Sequence, residues 1–358
     1  MKLSVVAGDA GGAAALAPCI KEASVRGFEI TCYAYSVAGE IWMNHGIDAQ
    51  RASEKICDLG DALLLGSSLN DEMLELKYID EARKQNVPSY SFVDAWVNFG
   101  ERFIDVNQEL HWPDRMFVTD KHAQKLMVQA GMESSRIDVT GNPALDEINR
   151  YLELKSRALY KKALRKIYQI PEENFLWLYV SQPLSIMPNS DIDENEVKDL
   201  FLGGLTKLGR ETGRDGSVLV KPHPRESKGN IRKQWSGSQE GIQVLFAEDS
   251  ENDVNEHALG ADAVIGMNSM ALVQAAILNI PVLSIQPGVK NGNDAIPSLS
   301  DLGGEVIRDA IELPHGLKNV MAKSAELNSE VPSNTPRIRQ SAASLLLDYI
   351  FPSNSFIK

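Results

Sequence analysis

Apolar residues in this chain fall into short, nearly continuous runs separated by stretches with helical spacing. Runs of that kind mark strands covered on both faces, as in a parallel sheet flanked by crossover helices. They occur at residues 2–7, 28–35, 62–66, 87–93, 115–119 and 136–141, and again at 175–181, 217–221, 263–265 and 281–285. Helical spacing covers residues 13–25, 70–85, 121–130, 146–167, 194–212 and 269–278, with further helices near 310 and over 317–327 and an amphipathic one over 337–350. The alternation predicts two Rossmann-like domains, residues 1–150 and 171–336, with residues 337–358 forming a helix that packs back on the first.

One internal echo supports two halves built on one plan. Leu59-Gly60-Asp61-Ala62-Leu63-Leu64-Leu65-Gly66-Ser67-Ser68 matches Leu259-Gly260-Ala261-Asp262-Ala263-Val264-Ile265-Gly266 with Asn268-Ser269 after it. Each is a helix end, an acidic residue, a strand, a glycine and a hydroxyl turn.

The turn Gly266-Met267-Asn268-Ser269 is where chemistry is expected. Gly266 lets the backbone turn tightly, and Asn268 or Ser269 caps the following helix, leaving its first amides for an anion. A screened helix end supplies only about 0.3–1 kcal/mol, so other cations must converge there. A capped crossover helix with no guest is the competing reading. In Lys221-Pro222-His223-Pro224-Arg225 the prolines favour extended backbone, which puts Lys221, His223 and Arg225 on one face at a strand's carboxyl end. Here the alternative is a solvated loop. The opening Gly8-Asp9-Ala10-Gly11-Gly12 lacks the GxGxxG spacing of a dinucleotide site; Gly11 and Gly12 are read as letting a ligand or the other domain approach the backbone.

Composition narrows the classes. The 358 residues, 43% hydrophobic and 24% charged, suit two globular domains. A net charge of −13 excludes a nucleic-acid binder that works by bulk electrostatics, while a local cation cluster can still hold a small anion. Cys19, Cys32 and Cys57 have no metal or CxxC spacing and read as reduced, buried thiols. The start has no signal-peptide core and no run approaches 18 apolar residues, so a cytoplasmic location is expected, with peripheral membrane association left open. No metal cluster is evident; Asp191-Ile192-Asp193 lies in a polar loop and reads as surface.

Taken in order, these segments resemble the GT-B superfamily. Ser269, Gln274-Ala275 and Pro281 are similar to the nucleotide-binding half of GT-B glycosyltransferases and UDP-N-acetylglucosamine 2-epimerases, and Lys221-Pro222-His223-Pro224 resembles the KPHP segment of capsule and teichoic-acid-type transferases. Val139-Thr140-Gly141-Asn142-Pro143 with Asp146 is similar to the epimerase domain junction, and Val93-Asp94-Ala95 and Glu101-Arg102 resemble its VEAG and PEExNR elements.

The resemblance implies an α/β GT-B fold, two Rossmann-like domains facing an interdomain cleft, and a metal-independent glycosyltransferase of surface polysaccharide or glycoconjugate synthesis. Asn268, Ser269 and Met270 would hold the diphosphate beside His223, Lys221 and Arg225, and Gln274 would stand where a glutamate binds the ribose. Asp94, in preference to Glu101 or Asp9, would deprotonate the acceptor. The partners are a UDP-, CMP- or CDP-linked sugar donor, which is a substrate rather than a cofactor, and a sugar or glycan acceptor; a homodimer stays open. The alternatives are an epimerising or hydrolysing UDP-N-acetylglucosamine 2-epimerase-like enzyme and a non-catalytic nucleotide-sugar-binding protein. Gln274, the Gly66-Ser67-Ser68 that replaces a GDT-like acid, and the short Asp94–Glu101 spacing depart from the epimerase pattern.

Overall fold

The computed structural model describes residues 1–352 except 57, 71, 97, 149–150, 152–156, 185–191, 224–225, 238–239, 248–253, 290–297 and 330–340. Cys57, Asp191, Arg225 and the expected start of the last helix lie outside the described residues. The chain divides into two compact units, Met1–Asn149 with Arg337–Lys358, and Arg150–Pro336.

The first unit is a parallel sheet of β1 (Lys2–Ala7), β2 (Glu29–Ala34), β3 (Gln50–Arg51), β4 (Ala62–Leu65), β5 (Ser89–Val93), β6 (Arg115–Val118) and β7 (Ile137–Val139). Their spatial order is β3-β2-β1-β4-β5-β6-β7. Val5 pairs with Cys32 on one side and Leu64 on the other, and all four residues of β4 are buried, which accounts for the unbroken apolar run. Helices α1 (Ala10–Val25), α2 (Ala38–Asn44), α3 (Leu74–Gln85) and α4 (Lys121–Gln129) connect the strands. The alanines of α1 at 13, 15, 17 and 23 are buried, so this helix lies close against the sheet.

The second unit repeats the plan with β8 (Phe175–Val180), β9 (Gly216–Lys221), β10 (Ile242–Phe246), β11 (Ala263–Gly266), β12 (Val282–Ile285) and β13 (Glu305–Ile307), ordered β10-β9-β8-β11-β12-β13. Its helices are α5 (Arg157–Tyr168), α6 (Glu194–Thr212), α7 (Lys228–Gln234), α8 (Val254–Gly260), α9 (Met270–Ile277), α10 (Ser298–Asp301) and α11 (Leu313–Ser329). The two echoed stretches contain β4 and β11, and each of these strands lies beside the first strand of its unit. No helix among the described residues is long and apolar enough to cross a membrane.

Three differences from the sequence reading have local causes. Helix α1 begins at Ala10 rather than near residue 13, so Gly11 and Gly12 are helical and serve close packing instead of a turn. Helix α3 starts only at Leu74 because the Asn70 side chain accepts the amides of Glu72 and Met73, both at 3.1 Å, and holds the preceding residues in a turn. Strands β3, β10 and β13 escape the apolar-run criterion because they sit at sheet edges, where β10 is only half-buried along its length.

The closing helix α12 (Ala342–Ile350) belongs to the first unit, and its Ala343, Leu346, Leu347 and Ile350 join the core that α1 lines. Asp146 grips its first turn, with Oδ1 and Oδ2 accepting the amides of Ala342 and Ala343 at 2.8 Å each. Ser341 caps the same end by accepting Ser344 N–H at 3.0 Å. Arg26, just past α1, spans the helix by binding Asp348 near its far end at 2.6 Å and the Ser344 hydroxyl in its first turn at 2.6 Å. Asp146→Ala leaves two amides without acceptors and is expected to destabilise the first unit by roughly 1–3 kcal/mol, read from urea or thermal unfolding; an unchanged midpoint would show that apolar packing alone seats the helix.

Candidate functional site

Both sheets change direction beside their first strand, between β1 and β4 and between β8 and β11. Loops leaving two such strands diverge and open a gap at the carboxyl edge, the usual ligand position in a doubly wound sheet. The sequence-derived candidates distribute over these two edges.

In the second unit a cavity of about 520 Å³ is lined by Ser181 after β8, Lys221, His223 and Glu226 at and after β9, and Ser269 and Ala271 at the start of α9. Lys221 and His223 therefore share one cavity with the helix N-terminus. Arg225 lies outside the described residues. Gln274 is half-buried further along α9 and is not part of this wall.

The loop that presents α9 is pinned from below. The Met267 carbonyl accepts from the Ser284 hydroxyl and, at 3.3 Å, from the Gln286 amide nitrogen, which also donates to Ser284 Oγ at 2.7 Å. Gln182 Oε1 takes the Asn268 amide at 2.9 Å, and Ser269 Oγ takes that of Ala271 at 3.2 Å. Asn268 and Ala271 thus have their N–H groups committed, whereas the amides of Ser269 and Met270 have no partner among the described residues. Gly266 does not adopt a positive φ; a Cβ there would lie 2.7 Å from the Val180 side chain, so the glycine admits a close strand approach rather than a tight turn. Asn279 ends α9 region at φ +61°, the left-handed conformation asparagine tolerates.

Glu226 is a member of this wall that the sequence did not single out. Its carboxylate accepts the His223 amide at 2.7 Å and the Ser181 hydroxyl at 2.9 Å, tying the loops after β8 and β9 together. Burial raises its pKa, and those two hydrogen bonds oppose the rise.

In the first unit Asp94 follows β5 and points at the first turn of α1. A Cβ on Gly11 would lie 1.7 Å from Asp94 Oδ2, and one on Gly12 would lie 3.2 Å from the Gly66 Cα. The room these glycines leave is filled from within the unit. Asp94 Oδ1 is buried with no hydrogen-bond partner, 3.6 Å from Arg102 Nη1. Arg102 is itself held by the Ser67 carbonyl at 3.2 Å and hydroxyl at 3.1 Å. Burial raises the Asp94 pKa, and the Arg102 charge opposes the shift. Glu101, next to that arginine, is exposed in a single 3-10 turn.

A second buried acid, Glu75, organises the loops around Asp9 and also went unnoticed in the sequence, where it reads as one more polar position on a helix. It accepts the Gly8 amide at 3.0 Å, the Ser68 hydroxyl at 2.6 Å and the Tyr35 hydroxyl. Asp9 in turn receives the Leu69 amide at 2.8 Å and the Asn70 side chain at 2.7 Å. The loops after β1 and β4 are thereby joined through carboxylates. Asp105, Glu109 and His111 form a further cluster in the first unit, with one ligand atom from each all within 4.8 Å.

No protein-family model matches the chain, and no curated protein matches it by sequence. Its fold does match solved structures over nearly its whole length. The UDP-GlcNAc 2-epimerase of Neisseria meningitidis, bound to UDP-GlcNAc, aligns at 14% identity and TM-score 0.65 over 98% of this chain and 99% of that one. The corresponding protein of Methanocaldococcus jannaschii gives 14%, 0.65, 98% and 99%. MurG of Acinetobacter baumannii aligns at 10% and 0.58 over 98% and 99%. At such identities the fold is what is shared: this chain has the GT-B fold of those epimerases and glycosyltransferases.

Burial raises the Glu75 pKa, so the native state holds that proton more tightly than the unfolded chain does. Its stabilising contribution is present at low pH and is lost as pH rises through the raised value. Glu75→Gln, which stays neutral, is expected to flatten that part of the stability–pH curve in urea titrations, and Glu75→Ala to cost roughly 1–3 kcal/mol by orphaning the donors of Gly8, Ser68 and Tyr35. Parallel curves for Glu75→Gln and wild type would contradict this.

Proposed function

We propose that the chain is a nucleotide-sugar enzyme whose second unit holds the diphosphate of the donor, and that its reaction is an inverting glycosyl transfer. The observation that carries the proposal is the single cavity shared by Lys221, His223, Ser269 and the start of α9. Two uncommitted amides, a helix N-terminus, an ammonium and an imidazole give a diphosphate both hydrogen bonds and charge. The solved structures of this fold include proteins bound to UDP-GlcNAc, which agrees with a donor of that class.

In the proposed step Asp94 takes the acceptor hydroxyl proton and the acceptor oxygen bonds to the anomeric carbon as its bond to the diphosphate breaks. Lys221, His223 and the Ser269 and Met270 amides receive the charge that develops on the leaving group. No metal is assigned to the step. Asp94 suits a base because burial raises its pKa while a neighbouring guanidinium keeps it ionisable. One carboxylate is sufficient for transfer. Epimerisation of the kind done by the named relatives is the second reading, favoured by the number of epimerases among similar folds; against it stand Ser67 and Ser68 where the resemblance expects an acid, and the exposure of Glu101.

His223→Ala is expected to lower turnover roughly tenfold to a thousandfold, as for loss of an electrostatic stabiliser; a wild-type rate would remove His223 from the mechanism. The Asp94 carboxylate is active when ionised, so kcat/KM should be full above its pKa and fall as pH drops through it, with that limb displaced above the ordinary value of 3.8. Asp94→Asn should abolish the limb and lower kcat/KM about 10²–10⁴-fold. Incubation with UDP-N-acetylglucosamine alone separates the two reactions, because transfer needs an acceptor; epimer or free nucleotide formed without one would establish the second reading.

A further inference from the structure

The segment between β5 and β6 carries a group of side chains that the proposed reaction does not use. Asp105, Glu109 and His111 bring one ligand atom each to within 4.8 Å of the others. His111 sits beside Asp80 of α3, with Nδ1 2.9 Å from the Asp80 carboxylate. A carboxylate only accepts, so Nδ1 carries the proton and Nε2 is the atom turned toward Asp105. Nε2 is buried and has no hydrogen-bond partner. Asp105 Oδ2, 3.8 Å away, is too distant to supply one.

That orphaned nitrogen is the informative feature. If the ring is neutral, its lone pair faces the Asp105 carboxylate, an arrangement that is repulsive unless a cation lies between. If the ring is charged, a buried N–H goes unanswered, at a cost of roughly 1–3 kcal/mol. A divalent ion resolves either conflict, by taking the lone pair of the neutral ring or by displacing the Nε2 proton of the charged one to solvent. One ion bonded to nitrogen and oxygen at about 2.0–2.2 Å spans an N···O separation up to about 4.2 Å, and the observed 3.8 Å falls inside it. Asp80 then does what the outer carboxylate of a metal-bound histidine does, holding the tautomer and orienting the ring.

We propose that Asp105, Glu109 and His111 form a structural zinc site. An imidazole with two carboxylates is a three-ligand set suited to Zn²⁺, with water completing a tetrahedron, and the imidazole makes the site less apt for Mg²⁺ or Ca²⁺, which take oxygen ligands. The site braces the segment that begins with Arg102. The His111 amide donates to the Phe103 carbonyl at 2.8 Å, and Ile104 pairs with Leu110 in an antiparallel bridge. The ion therefore acts on stability and on the seating of that segment, and the inference stands independently of the transfer reaction.

The test is calorimetric titration of chelator-stripped full-length protein with Zn²⁺, alongside thermal unfolding with and without the ion. The expected result is one zinc per chain and a raised unfolding midpoint, with neither effect from Mg²⁺ or Ca²⁺. Glu109→Gln, at an exposed position that leaves folding intact, should weaken binding at least tenfold, and His111→Ala should abolish it. Asp80→Asn should weaken it about 10–100-fold through loss of the ring's anchor, while His122→Ala on α4 should leave it unchanged. Absence of zinc binding in the wild type, equal affinity in Glu109→Gln and wild type, preference for Mg²⁺ or Ca²⁺, or equal loss in His122→Ala would each overturn the proposal.

Discussion

The arrangement at both sheets depends on one constraint: two neighbouring parallel strands send the chain off in opposite directions, and the opening this leaves has to be held by groups that are themselves satisfied. Loops in such a place carry backbone donors and acceptors that no ladder serves, and buried side chains take over that work. In the second unit Ser284, Gln286 and Gln182 fix the peptide ahead of α9. In the first, Glu75 draws together Gly8, Ser68 and Tyr35. The polar groups beneath the loop decide which amides are already bonded. That is why the Asn268 amide is committed, whereas those of Ser269 and Met270 have no partner among the described residues.

Charge is handled differently at the two edges. The chain as a whole carries −13, yet the cavity of the second unit has Lys221 and His223 in its wall, and Glu226, the acid among its described lining residues, is occupied with hydrogen bonds. The first unit instead keeps a carboxylate, Asp94, against α1 with Arg102 close by but outside hydrogen-bonding distance. Desolvation raises the pKa of that carboxylate and the guanidinium opposes the rise. An edge with two basic side chains in its wall and an edge with a buried carboxylate are thus built on the same sheet plan by exchanging loop side chains.

Much of this plan was legible from the apolar runs, because a strand covered on both faces has to be continuously hydrophobic. The boundaries of β1 and α6 were read to the residue, and the echoed stretches were recognisable because β4 and β11 face the same demands at the same place in their sheets. The edge strand β10 was not legible, since half-burial relaxes the requirement for apolar residues. Gly266 was noticed for a turn, but the need it meets is the nearness of Val180, a contact between strands far apart in sequence.

The sequence by itself determined the parallel α/β class, because hydrophobic period, capping and proline geometry are local properties. Tertiary structure decided which residues lie together. It brought Lys221, His223 and Ser269 to one cavity, left Glu101 in solvent, set Arg102 3.6 Å from Asp94, buried Glu75 against loops distant in the chain and bonded Glu226 to Ser181. A buried carboxylate and a solvated one have the same letter in a sequence, and only the surroundings that desolvate and pair them give them different chemistry.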